Sequence, residues 1–306
     1  MSTGGGTRAI VAALAANAGI AIAKFIGFLI TGSSSMLAEA VHSLADTANQ
    51  GLLLLGGKRA KRAATAEHPF GYGRDRFFYS FIVALLLFTL GSVFALYEGI
   101  EKLRHPHEVD NLGVAIGILL FSMVLEGFSL RTAYREASHA RTTSGRWLHW
   151  IRGSKQPELP VVLLEDTGAL IGLLFALTGV ILAKVTGEPR FDAIGSLAIG
   201  ALLVVIAIVL AVEMKGLLIG ESASKADLAK IVQSLEGADS VRRIIHLRTE
   251  HLGPDQLLVA AKLEFDPSMT VEELARAIDA AERELREVVP TAHFVFIEPD
   301  VYRVPA

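Results

Sequence analysis

The sequence predicts a membrane bundle of six transmembrane helices followed by a cytoplasmic α/β domain of order α-β-β-α-β. Three observations predict it: six long apolar stretches, a change to charged composition after Gly220, and a stripe of ionisable groups inside the second stretch. Apolar residues make up 52% of the 306, above the 45 to 50% of ordinary soluble domains, and the mean hydropathy is positive. A membrane domain over residues 1–220 and a soluble domain over 221–306 follow.

The spans fall at about Ala9–Ile30, Met36–Gly57, Tyr79–Ile100, Leu112–Thr132, Leu159–Val185 and Ala193–Leu218, each near or beyond the roughly 20 residues needed to cross. The opening Met1–Gly6 has no cleavable-signal pattern, and the first apolar run is too long for a signal core, so a retained span is expected. Lys58, Arg59, Lys61, Arg62, Arg74 and Arg76 crowd the second connection, and Arg135, Arg141, Arg146, Arg152 and Lys155 the fourth. The other connections carry far fewer, so the positive-inside rule places both termini and the soluble domain in the cytoplasm. Trp147 and Trp150, with Leu148 and Ile151, read as an amphipathic segment at that surface.

In the tail, Ser224 suits the N-cap of a helix through Leu235, followed by β-rich runs Val241–Thr249 and Gln256–Phe265 joined at Gly253-Pro254-Asp255. Thr270 and Glu273 form a capping box, Leu274, Ile278 and Leu285 give the second helix its apolar stripe, and Pro290 ends it before a strand at His293–Ile297.

The chemistry concentrates in the second span. His42 and Asp46 are spaced one helical turn apart, and Glu39 and Asn49 extend the same stripe within roughly 80° of arc. Ionised groups are costly in hydrocarbon, so such a stripe implies a bundle interior, a water-filled cavity or a bound cation. Near the start of the fifth span stand Glu165 and Asp166, beside the small residues Gly168, Ala169 and Gly172, which permit close helix approach. If that approach is to the second helix, His42, Asp46 and Asp166 converge on one divalent cation, with Glu165, a backbone group or water as fourth donor. His42 and Asp166 lie about 9 to 10 Å in from opposite membrane faces, a gap that narrows if the fifth helix starts earlier, with Pro157 or Pro160 in its first turn, or if the helices tilt. With no cysteine, thiolate sites and disulfides are excluded; N/O donors suit zinc and also admit manganese, iron or cobalt. A net charge of −3 argues against nucleic acid as a partner. Glu126, midway along the fourth span, is a candidate proton relay or a neighbour to the ligands, as are Glu39 and Asn49; Glu98 reaches the interface, and Lys24 is assigned to pairing or snorkelling.

The chain resembles the cation diffusion facilitator family, dimeric membrane transporters of zinc and related divalent metals, commonly driven by proton flow. The likeness is carried by Gly32-Ser33-Ser34-Ser35 leading to Ala40-Val41-His42-Ser43-Leu44-Ala45-Asp46, and by His68-Pro69-Phe70-Gly71-Tyr72-Gly73-Arg74 before the third span. It implies a transport site on His42, Asp46 and Asp166, zinc/proton antiport with manganese, iron or cobalt as alternative cargo, and no prosthetic cofactor. It also implies a homodimer in the lipid bilayer, through the membrane domain and a ferredoxin- or metallochaperone-like tail, and a bacterial inner membrane is expected. Many zinc-transporting members have His where this chain has Val162; His68 keeps one ligand of a weak loop site whose second His is here Tyr72. Tail positions that elsewhere bear histidines hold Ile245 and Lys262, with Glu298 an acidic remnant, so no binuclear cluster is expected there, while His246, His251 and His293 keep the capacity to bind metal weakly. An intramembrane metalloenzyme would use the same ligands to activate water but lacks a second histidine pair or nucleophile, and a non-transporting metal sensor is a further alternative.

Overall fold

The computed structural model describes residues 3–31, 34–106, 112–140 and 147–303; within these, the side chains of 3–9, 27–28, 30–31, 34–42, 112, 140, 148–149 and 152 lie outside the description. The chain divides into two units. One comprises Met1–Lys58 and Arg76–Lys215, the other Arg59–Asp75 and Gly216–Ala306.

The first unit is helical: α1 (Thr3–Thr31), α2 (Ser34–Arg59), α3 (Asp75–Leu86), a π-helical stretch (Leu87–Val93), α4 (Phe94–Arg104), α5 (Leu112–Ala140), the short α6 (Trp147–Gly153), α7 (Glu158–Thr186) and α8 (Arg190–Ile219). Among the described residues four runs are long and apolar enough to cross a membrane, namely Asp75–Arg104, Gly113–His139, Glu158–Thr186 and Arg190–Ile219, and Ile10–Ile26 is a shorter apolar helix. The first two of the six expected spans fall on helices of 29 and 26 residues whose side chains are described only in part. Of the five helices longer than 25 residues α2 is the least apolar, which reflects its polar stripe.

The π-helical stretch inside the third span was not legible in the sequence. Ser92 Oγ donates to Leu87 O at 3.3 Å and Thr89 Oγ1 to Leu85 O at 2.9 Å, so hydroxyls take up carbonyl capacity where the helix widens. α7 starts as the depth estimate required, with Pro157 at its N-cap and Pro160 in the first turn, where a missing N–H removes no helical bond. Gly187, at φ 71°, ends it in the left-handed conformation.

Lipid gives no hydrophobic drive for helices to associate, so close packing and polar ties do the holding. A Cβ on Gly195 of α8 would lie 3.0 Å from Phe175 O, and one on Gly179 of α7 2.9 Å from Phe191 O; α7 and α8 therefore meet backbone to backbone. Gly168 and Gly172 face Ile206 and Ile199 of α8, so their smallness serves that helix rather than the expected approach to α2. The Arg76 guanidinium forks onto the buried Glu158, with Nη2 donating to Oε2 at 2.9 Å, and joins the starts of α3 and α7. Glu98 pairs with Lys102 at 3.1 Å, and Lys102 reaches Asp192 of α8 at 3.3 Å. Trp147 and Trp150 turn inward: Trp147 lies 4.9 Å from the Tyr134 ring, and both pack on the apolar core.

The second unit contains α9 (Lys225–Gly237), β1 (Val241–Gly253), β2 (Gln256–Phe265), α10 (Val271–Val288) and β3 (Phe294–Pro299). Ser224 caps α9 by accepting from Asp227 N, and the Thr270/Glu273 capping box opens α10. The sheet order is β1-β2-β3, with β1 and β2 antiparallel around Pro254-Asp255 and β2 and β3 parallel across α10. Alternate residues of β2 (Leu257, Val259, Ala261, Leu263, Phe265) pack with Ile231, Leu235 and Leu285 of the two helices into one apolar core.

The segment Arg59–Asp75, which the boundary at Gly220 assigned to the membrane domain, belongs to this unit. Phe70 meets Phe294 edge to face at 5.2 Å, Arg74 pairs with Glu250, and Gly73 lies on the β1–β2 turn, where an added Cβ would stand 2.7 Å from Leu252 O. Gly73→Val is accordingly expected to lift the segment off the hairpin and raise deuterium uptake in residues 59–75 and 250–256; unchanged uptake would count against this docking.

Candidate functional site

α2 and α7 each bring polar groups inward. The side chains of Glu39 and His42, both on α2, lie outside the described residues. Further along α2, Asp46 is half-buried while Asn49 and Gln50 are 2% and 0% exposed. On α7, Glu165 and Asp166 are both buried. One helical step rotates them about 100° apart, and they serve different helices. Glu165 Oε1 accepts from Asn49 Nδ2 at 3.2 Å and Oε2 from Gln50 Nε2 at 2.9 Å, a two-point clasp between α7 and α2. Asp166 Oδ2 accepts from Ser129 Oγ of α5 at 2.7 Å.

Beside these residues lies a cavity of about 60 Å³ whose polar lining is Lys24, Ser43, Asp46, Ser122 and Glu126, with Gly168 among its apolar walls. A water molecule takes about 30 Å³ in the liquid, so the space suits a bare ion with one water or a pair of waters. Lys24 Nζ donates to Ser43 Oγ at 3.0 Å, both groups buried. Glu126 Oε2 and Ser122 Oγ, both buried, have no hydrogen-bond partner among the described residues.

Among the described residues no three His, Asp or Glu side chains stand together as a ready metal cage. His68 is exposed in the segment Arg59–Asp75, stacked on Tyr72 at 4.6 Å between ring centroids. In the second unit His246 Nε2 accepts from Arg248 Nε at 2.7 Å, and His251 is buried near Gly253 O. Lys262 Nζ lies 3.0 Å from Glu298 and 3.3 Å from Asp300, and hydrogen bonding to Glu298, then Asp300, holds its pKa above the ordinary lysine range. An ammonium thus occupies the position where the family resemblance implied a histidine.

Sequence reasoning missed Gln50 and Ser129 as partners of the two α7 acids. A signal for the second was present: Ser122, Glu126 and Ser129 follow one another at offsets of four and three, the same one-face spacing as the α2 stripe. Removing one donor from a buried carboxyl group leaves an acceptor oxygen unsatisfied. Gln50→Leu is therefore expected to lower stability in detergent by about 1 to 3 kcal/mol, read from denaturant or thermal unfolding.

Residues 10–219 match the model described as cation efflux transmembrane domain, and 223–302 that described as cation efflux protein, cytoplasmic domain. The human protein named "Proton-coupled zinc antiporter SLC30A9, mitochondrial" (Homo sapiens) is 35% identical over 244 residues, 79% of this chain and 43% of its own. "Metal tolerance protein C4" of Arabidopsis thaliana is 32% identical over 266 residues, 87% of this chain and 58% of its own. The chain thus spans about half the length of the first curated relatives it matches. A solved nickel form of a single-substitution variant of the MamM CTD covers 26% of this chain and 100% of its own, at 21% identity and a TM-score of 0.25. With both family models matched in succession and multi-pass helical architecture, the chain belongs to the cation efflux, or cation diffusion facilitator, family, whose members are transporters and not enzymes.

Proposed function

We propose that this protein is a secondary transporter that moves a divalent metal cation, zinc foremost, out of the cytoplasm in exchange for protons. The observation that carries the reading is a small polar cavity lined by Asp46 and Glu126, with the buried Asp166 tied to Ser129 of the helix that bears Glu126, inside a cation efflux domain. His42, Asp46 and Asp166 form the proposed cargo site, with water or a backbone carbonyl completing four donors. Glu165 joins the ligands only in a state in which Asn49 and Gln50 release it; otherwise it fixes the spacing of α2 and α7. Glu126 faces the cavity as the proposed proton-carrying group, and Glu39 and Asn49 flank the ligands on α2.

Zinc is supported by the imidazole and carboxylate donor set and by relatives named as proton-coupled zinc antiporters. Manganese, iron and cobalt remain alternative cargo for the same donors. The basic second and fourth connections support cytoplasmic termini, and the matched cytoplasmic-domain model supports a homodimer with the domain boundary near Gly220. Relatives include bacterial proteins of Mycobacterium tuberculosis and Paramagnetospirillum magneticum as well as mitochondrial ones, and we place this chain in a bacterial inner membrane.

In proteoliposomes offered zinc, manganese, iron or cobalt, the wild type should carry out metal flux that rises with an imposed pH gradient. Asp46→Ala and Asp166→Ala should each reduce that flux at least a hundredfold while the protein stays folded. Full flux in either variant removes that residue from the site, and absence of flux for every metal in folded wild type overturns the transport reading in favour of a sensor.

A further inference from the structure

We infer that Lys24 is a built-in competitor for the cargo: its ammonium supplies positive charge to the empty site, weakens the hold on a divalent cation, and so sets how readily the ion is released. This rests on the proposed transport site and adds to it a residue from α1, a helix that contributes none of the proposed ligands.

Lys24 lies in α1 seven residues before its end and is only 5% exposed, so its head is enclosed by protein rather than turned outward. Its Nζ is instead directed to α2, donating to Ser43 Oγ at 3.0 Å. Ser43 directly follows His42 and precedes Asp46 by three residues, so the hydrogen bond holds the ammonium beside the stripe from which the cargo ligands are drawn. The same side chain lines the cavity together with Asp46 and Glu126. Two buried oxygens of that cavity, Glu126 Oε2 and Ser122 Oγ, have no hydrogen-bond partner among the described residues, which marks the space as one that receives a polar or cationic occupant.

A lysine serving only to tie α1 to α2 would need no carboxylate-lined cavity beside it, and a neutral hydroxyl pair would make that tie without burying a charge. A fixed ammonium on the wall of a cation site does something a neutral tie cannot. It partly compensates the carboxylates when the site is empty and repels a divalent ion when the site is full. Even with water-like screening, one unit charge across a cavity this small shifts divalent affinity by about one order of magnitude. Such a residue favours release over retention, which is the requirement of a carrier rather than of a storage site.

The test compares wild type, Lys24→Gln and Lys24→Arg, all full length. Zinc binding is measured by calorimetry in detergent, and the KM and maximal rate of zinc flux in proteoliposomes. Lys24→Gln should bind zinc about tenfold more tightly, with a lower flux KM and a lower maximal rate as release slows. Lys24→Arg, which keeps the charge, should behave as wild type in all three. The proposal is overturned if Lys24→Gln binds zinc no more tightly than wild type, if Lys24→Arg shifts as far as Lys24→Gln, or if both variants fail to fold, since each of these assigns Lys24 to structure. Wild-type protein that binds no zinc, manganese, iron or cobalt would instead overturn the transport reading itself.

Discussion

The desolvation of two adjacent carboxylates governs the helical unit. Glu165 and Asp166 are carried into the interior of a chain segment that is otherwise almost wholly apolar, where an unpaired ionised group is far too costly to leave alone. Being sequence neighbours on a helix, they point about 100° apart and cannot share a partner. One therefore requires donors from α2 and the other from α5, and Asn49, Gln50 and Ser129 are those donors. The close packing of α7 against α5 accompanies the second of these ties. The fork of Arg76 onto Glu158 fixes the start of the same helix, so a few polar ties locate α7 among neighbours that lipid alone would not hold together.

What was legible in the sequence was local. Caps at Ser224 and Thr270, the hairpin turn at Pro254-Asp255 and the early start of α7 across two prolines depend on residues within a turn or two of one another. What was not legible depended on which way a helix turns toward its neighbours. Small residues at Gly168 and Gly172 announce a close approach without naming the helix approached, and it is α8. Glu165 reads from sequence as a free donor because nothing local reveals that two amides of α2 occupy it. Trp147 and Trp150 read as surface anchors because aromatic residues among arginines do so, yet ring packing on Tyr134 and the core draws them inward. The π-helical widening at Leu87–Val93 leaves no propensity signal, since its hydroxyls bond carbonyls only once the helix has formed.

The motif before α3 gives a second case in which a structural reason stands behind a sequence signature. Its two glycines act differently. Gly71 adopts φ 80°, a conformation most side chains resist, whereas Gly73 is needed because the backbone of Gly253 comes so close that a Cβ there would sit 3.2 Å from its Cα. Phe70 and Arg74 then add an edge-to-face ring contact and an ion pair with β3 and β1. His68, the residue that metal chemistry would single out, is stacked on Tyr72 within the same segment. The motif thus reads first as a docking element of the soluble unit, and its conformation is set by backbone approach before any ligand is considered.

Cavity size separates the two readings that share the same ligands. Sites that hold organic substrates occupy about 300 to 1,000 Å³ and are lined mainly by apolar and aromatic groups. The space beside Asp46 is about 60 Å³ and carries two carboxylates, two hydroxyls and an ammonium. A space of that size suits a small cation and a water, the water held by Ser122 or Glu126, better than it suits a peptide or lipid bond. Adjacent acids then divide the work on α7. Glu165, with both oxygens engaged by α2, keeps the helices at a fixed spacing, and Asp166, held by a single serine, retains lone pairs for a cation. In the proposed cargo site one wall is thus held by the clasp of α7 on α2 while the cavity lies on its other side, an arrangement suited to a cargo that enters from one side and leaves on the other.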